Sequence, residues 1–131
     1  MTQLSRTQIF VNSLPDSLAF YQNAFDFAVR YEHESGQYAE LDAGGFRLAL
    51  GTNAIGEMTF GDSGYSQNNL SQSPAGIFLG ISVDDVDTAY QKAIEAGGAS
   101  VKEPFTQPWG QQLAYVRDNS GVLIEIEKFT G

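Results

Sequence analysis

Residues 77–99 read IFLGISVDDVDTAYQKAIEAGGA, and the order of elements in this stretch decides the fold. Ile77, Leu79, Ile81 and Val83 alternate with Phe78, Gly80 and Ser82, a period of two that places one apolar set on one side of a strand. The period then changes. Asp84 or Asp85 can cap a helix whose inner stripe is Val86, Ala89 or Tyr90, Ala93 and Ile94, and Gly97-Gly98 supplies a left-handed stop. Three strand-like runs follow, at 99–102, 111–117 and 122–128, the last two joined by the turn Asp118-Asn119-Ser120-Gly121. The plan is βαβββ.

The N-terminal part repeats it. Thr7, Ile9 and Val11 alternate with Arg6, Gln8 and Phe10; Pro15 suits a first helical turn, and Leu14, Leu18, Tyr21 and Phe25 make one stripe. Strands at 27–33, 37–41 and 46–50 come next, separated by Ser35-Gly36 and Gly44-Gly45. Val11 falls on Val83, Leu14 on Val86 and Gly45-Phe46 on Gly121-Val122, so the pattern is a duplication whose offset lengthens through the loop around Trp109. The expected class is α+β: one domain over residues 1–131, made of a module at 1–51, a linker at 52–75 and a module at 76–131. Loops as long as this linker are either functional or mobile; its Met58, Phe60 and Tyr65 can fold over a ligand or be incidental apolar residues.

Composition narrows the function. A chain of 131 residues buries enough surface to stand without staples, and the absence of cysteine excludes disulfides, thiolate catalysis and sulfur-bound zinc. No apolar run approaches the length of a bilayer span and MTQLSRTQIF lacks a signal-peptide core, so a cytoplasmic home is expected. The net charge of -9 repels phosphate backbones and anionic lipid. Nucleic acid and membrane are therefore not expected as partners. The same charge serves solubility, or attracts cationic ligands.

The duplicated βαβββ, with LPDSLAFYQNAFDF at 14–27, ISVDDVDTAYQKAIEAGGA at 81–99 and VRDNSGVLIEIE at 116–127, resembles the vicinal oxygen chelate superfamily over nearly the whole chain. Relatives there include glyoxalase I, extradiol dioxygenases, fosfomycin resistance enzymes and metal-free bleomycin and mitomycin resistance proteins. The resemblance implies two incomplete barrels enclosing a cleft, commonly in a homodimer that completes each cleft. It leaves the function open.

In catalytic members of that family, His, Gln or Glu side chains from the first and last strands of each module hold a divalent metal. Counting from the strand-to-helix junctions puts these positions at Arg6, Ala49, Phe78 and Glu125; a shift of two residues offers Gln8 and Gly80 instead. Of the first four only Glu125 is a competent ligand; the shifted pair still makes no site, and Glu127 is the one other donor nearby. A divalent cation needs several O or N donors at about 2.0–2.6 Å, so no metal and no other cofactor is expected. His33 lies in YEHES and reads as an edge residue. With the metal gone, Arg6 can occupy its place and pair with Glu125.

Strand parity sends Gln8, Phe10, Tyr38, Glu40, Arg47, Phe78, Leu113, Tyr115, Leu123 and Glu127 to the concave side. Aromatic walls with a few polar anchors suit a planar, partly polar organic molecule, although part of this surface can be barrel core or a dimer contact. The Pro108-Trp109-Gly110 loop is similar to a pattern in the mitomycin and bleomycin resistance group, whose aromatic ring flanks the cleft; Trp109 then stacks on ligand or closes the barrel end. The candidate ligand-binding set is Arg6, Gln8, Tyr38, Arg47, Phe78, Trp109, Leu113, Tyr115, Glu125 and Glu127, with no catalytic residue assigned. Three functions compete. The first is metal-free sequestration of an aromatic or cationic compound, antibiotics included. The second is a metal-free lyase or isomerase using Glu125 or Glu127 as base and Arg6 at an oxyanion; the third is a metal-dependent glyoxalase or dioxygenase. Pairing with Arg6 would weaken Glu125 as a base and favours the first.

Overall fold

The computed structural model describes residues 1–128; positions 129–131, the end of the second module, lie outside the described part. The first module runs β1 (Thr7–Val11), α1 (Leu14–Phe25), β2 (Ala28–Glu32), β3 (Tyr38–Ala43) and β4 (Phe46–Thr52). After α2 (Asn53–Phe60), the second runs β5 (Phe78–Ser82), α3 (Val86–Glu95), β6 (Ala99–Thr106), β7 (Gln112–Arg117) and β8 (Leu123–Lys128). Each module forms an open four-stranded sheet, in the orders β1-β4-β3-β2 and β5-β8-β7-β6. The duplication read in the sequence is thus repeated strand for strand.

Local chemistry sets the helix ends. Ser13 accepts from the Asp16 N–H, Pro15 occupies the first turn, and Asp26 closes α1 in the left-handed conformation at φ 59. Of the two cap candidates for α3, Asp85 is the one used: its side chain accepts from the Thr88 N–H. Both helices turn the stripes expected of them inward, with Phe25 and Ile94 near their ends only half-buried. Leu14, Leu18 and Tyr21 on α1 and Val86, Ala89, Tyr90 and Ala93 on α3 pack with Ile9, Val11, Leu41, Leu50, Val116, Ile124 and Ile126 in a common core. Each large apolar side chain fully buried there contributes about 1.5–3 kcal/mol. Helices α1 and α3 also pack on one another.

A buried carboxylate joins the modules. Asp118, fully buried in the β7–β8 turn, accepts three backbone N–H groups on Oδ1, from Ser120, Gly121 and Val122. Its Oδ2 takes the hydroxyl of Tyr21 from α1 at 2.7 Å. Ser120 Oγ accepts from the Asn12 N–H at the β1–α1 junction and lies 3.4 Å from Ser17 Oγ. A buried ion survives only when its lone pairs are met, and here they are met from both modules. Burial, then the Asp118 charge, raises the Tyr21 pKa well above the ordinary phenol value.

The intermodule stretch is more ordered than its composition suggests. It opens with α2, and Asn68 Nδ2 then donates to the Phe10 carbonyl at 2.9 Å. Arg117, buried at the end of β7, donates to the carbonyls of Asn69, Leu70 and Gln72 and to that of Gly121. Gly, Ser and Asn carry no apolar periodicity, so these anchors leave no trace in the hydrophobic pattern.

Candidate functional site

The pleat divides each strand as parity requires. Ile9, Val11, Leu48, Leu50, Leu41, Ile124, Ile126 and Val116 face the helices. Their alternates line the opposite, concave faces: Gln8, Phe10, Tyr38, Glu40 and Arg47 on one sheet, and Phe78, Leu113, Tyr115, Leu123, Glu125 and Glu127 on the other.

On the first sheet, Glu40 is the hub. The Tyr38 hydroxyl donates to Glu40 Oε2 at 2.7 Å, and Arg47 Nε lies 3.3 Å from Oε1. The latter is an ion pair without hydrogen-bond geometry: Arg47 Nε is shielded from solvent and has no hydrogen-bond acceptor among the described residues. Burial, then the bond to Glu40, raises the Tyr38 pKa. Gln8 lies over Gly51, where a β-carbon would stand 2.8 Å from its Nε2; glycine therefore leaves room for the amide across the sheet. Phe10 meets Tyr65 at 4.7 Å and Phe60 at 6.2 Å, so part of the intermodule segment covers the far end of this face. Met58 stays in solvent.

The second sheet repeats the tyrosine–carboxylate arrangement. The Tyr115 hydroxyl donates to Glu125 Oε2 at 2.6 Å, and this bond, with burial second, pushes the Tyr115 pKa up to about 12. Phe78 stands edge-on to Tyr115 at 6.1 Å. Glu127, two residues on and on the same face, has its pKa raised first by burial and then by the adjacent Glu125 carboxyl. A cavity of about 500 Å³ runs between the two sheets, with Thr7, Phe46, Arg47 and Leu48 on one wall and the whole of β5, Phe78 to Ser82, on the other.

Of the residues singled out in the sequence, Tyr38 and Arg47 come together at Glu40, and Phe78, Tyr115, Glu125 and Glu127 come together on the second sheet. Leu113 is buried beside them. Two expectations are corrected, and one of the two alternatives for Trp109 is dropped. Arg6 precedes β1, is exposed, and makes no ion pair with Glu125, which is held by Tyr115 instead. The cross-strand neighbours of Ala49 and Glu125 are Gln8 and Gly80, the pair that a two-residue shift offers, and not Arg6 and Phe78, because counting from the helix junctions fixes the parity but not the stagger of a parallel ladder. Trp109 does not close the barrel end: it is 67% exposed at the tip of the β6–β7 loop, its Nε1 donating to Gln111. His33 is exposed and lies 2.8 Å from Ser35 Oγ. Sequence reasoning missed Arg117 as the anchor of the intermodule segment; an arginine just before a turn carries no signal of its own.

The resemblance implies metal ligands at four cross-strand positions of the inner strands, which the observed stagger puts at Gln8, Ala49, Gly80 and Glu125. Gln8, Ala49, Gly80 and Glu125 supply one carboxylate and one amide oxygen, and among the described residues no three His, Cys, Asp or Glu side chains gather. That set does not fit a divalent ion.

Solved structures share the architecture. The chain superposes with a TM-score of 0.82 on a glyoxalase-related enzyme from Fulvimarina pelagi, at 20% identity over 98% of this chain and 89% of that one. It matches a glyoxalase/bleomycin resistance protein/dioxygenase family enzyme from Burkholderia phytofirmans at 0.80, with 23% identity over 97% and 98% of the two chains. A hypothetical protein from S. aureus gives 0.80 and 24% identity over 98% and 95%. At these identities the likeness is one of fold. No curated protein matches the sequence. No helix among the described residues is long and apolar enough to cross a membrane. The match of residues 3–126 to the family model, carried on this repeated βαβββ frame, makes the chain a member of the Glyoxalase/Bleomycin resistance protein/Dioxygenase superfamily.

Proposed function

We propose that this protein is a metal-free small-molecule-binding member of its superfamily, which sequesters an aromatic or cationic organic compound in the cytoplasm, antibiotics being one such class. The observation that carries the reading is the donor set: Gln8, Ala49, Gly80 and Glu125 stand where a chelate would be built, while the concave faces offer Phe10, Tyr38, Phe78 and Tyr115 as apolar walls and Glu40, Glu125 and Glu127 as polar anchors. Trp109, exposed, offers its planar indole as a further stacking face. A homodimer goes with this reading. Strand β2 is exposed along its whole length, and Phe46, Ile77 and Phe78 stay in solvent on a single chain. Native mass spectrometry of the purified protein tests both parts. A dimer carrying a co-purified organic adduct, released unaltered on denaturation, is expected; a monomer that turns over the adduct contradicts the reading.

One observation favours a second reading, a metal-free lyase or isomerase. Glu127 holds its proton to higher pH than an ordinary carboxyl, and among the described residues no arginine is paired with Glu125 to oppose base catalysis there. Consumption of a carbonyl substrate that stops on replacing Glu127 with Gln supports it.

A further inference from the structure

Resting on the ligand-binding reading, we infer that the groove between the two sheets takes an aromatic ring that bears a carboxylate or similar oxygen acceptor, with Arg47 as its anchor. The groove is the right size for such a molecule, at about 500 Å³. Its two walls come from different modules, and each presents an exposed phenylalanine: Phe46, 80% exposed, at the start of β4, and Phe78 on β5. Leu48, Leu79 and Ile81 give it an apolar floor. A ring inserted between them gains contact on both faces, as rings in ligand sites do.

Among the described residues, Arg47 is the only charged one lining this groove. Its guanidinium is incompletely used. Glu40 compensates its charge, but Glu40 Oε2 already holds the Tyr38 hydroxyl and Oε1 lies off-line at 3.3 Å, so the Nε–H, itself shielded from water, has no acceptor among the described residues. A donor left this way carries a desolvation cost; the Nε–H is closed to a ligand, but a third of the Arg47 side chain is exposed, so an incoming acceptor meets the terminal amino groups of the same guanidinium. Arginine also meets a planar carboxylate through paired N–H bonds, which an organic cation cannot accept. The groove therefore selects acceptor-bearing rings over cationic ones, which sharpens the ligand class beyond aromatic or cationic.

The test uses the full chain, ¹⁵N-labelled at arginine, titrated with 2-naphthoate and with the shape-matched cation 2-naphthylmethylammonium. Naphthoate is expected to bind at least tenfold more tightly than the cation and to shift the Arg47 Nε–H resonance. Arg47→Gln should weaken naphthoate at least tenfold, whereas Arg30→Gln, which removes the same charge from exposed β2, should change it less than twofold. Should Arg47→Gln lose its fold, the wild-type Nε–H shift decides alone. Absence of naphthoate binding to millimolar concentration, binding that leaves the Arg47 resonance unmoved, or equal losses in the two variants overturns the inference. The broader reading fails separately: it survives if the cation binds on the concave faces independently of Arg47, and falls if neither probe nor any co-purified compound binds.

Discussion

Replacing Tyr21 with Phe tests the clasp that holds the modules together. The substitution keeps the ring, which packs edge-on to Phe20 at 5.0 Å and stacks with Phe27, and deletes only the hydroxyl. Asp118 then keeps its three backbone N–H donors on Oδ1 and loses the hydroxyl donor to Oδ2. A hydrogen bond to a buried charge contributes about 1.5–3 kcal/mol. At about 2.1 cal/mol/K per residue, a chain of this length has an unfolding entropy near 280 cal/mol/K, so each kcal/mol moves Tm by about 4 °C and the variant should melt about 6–12 °C lower. A pH signature accompanies the loss. Because the Tyr21 pKa is raised in the folded state, the native protein holds this proton more tightly than the unfolded chain. Its contribution is complete below the ordinary phenol value near 10 and is lost as pH rises through that range. Circular-dichroism melts from pH 7 to 11 should therefore show the gap between wild type and Tyr21→Phe narrowing above about pH 10. A Tm within 2 °C of wild type at pH 7, with no narrowing, would mean that Asp118 does not depend on Tyr21 and that the modules are joined by core packing alone.

Trp109→Ala should leave stability nearly unchanged, within about 0.5 kcal/mol, because the ring is 67% exposed, yet weaken binding of a stacked aromatic ligand several-fold. A large drop in Tm with unaltered affinity would return it to a packing role. Glu127→Gln should stabilise the protein at pH 7 but not at pH 4: the raised carboxyl pKa makes the native state the tighter proton binder, a contribution present at low pH and lost as pH rises. Equal melting shifts at both pH values refute the raised Glu127 pKa. Arg117→Gln should speed hydrogen exchange across 61–72 while α1 stays protected, since Arg117 holds the carbonyls of Asn69, Leu70 and Gln72. Unchanged exchange would mean the segment is held by Asn68 and Tyr65 instead.

The legible part of the sequence is the local part. The apolar alternation of each module's first strand, Ile9 and Val11 in one and Leu79 and Ile81 in the other, depends on neighbours a few residues away. So do the stripes of α1 and α3 and the glycine turns, and the βαβββ order and concave set follow from them. Leu79, Ile81 and Val83 illustrate this on β5 and its exit: all pack against the core, as their parity requires. The site is legible to the level of which face a side chain takes, and no further. Pairings depend on stagger between strands distant in sequence, so counting matches Arg6 to Glu125 although Tyr115, ten residues before it, holds that carboxyl. The Tyr21–Asp118 bond spans 97 residues and has no local pattern at all. The intermodule anchors are invisible for a related reason: Asn53 holding the Tyr65 hydroxyl and Arg117 holding three carbonyls are polar contacts, which hydrophobic periodicity does not record.

The central claim, that the cleft binds an organic ligand without a chelated metal, is tested most directly by elemental analysis of the purified protein after dialysis, alongside the Glu125→Gln variant. With only Glu125 and the Gln8 amide at the four positions where the resemblance implies a chelate, less than about a tenth of an equivalent of Zn, Ni, Mn or Fe per chain is expected, unchanged by the substitution. About one equivalent of a divalent metal per chain, lost in Glu125→Gln, would contradict the account.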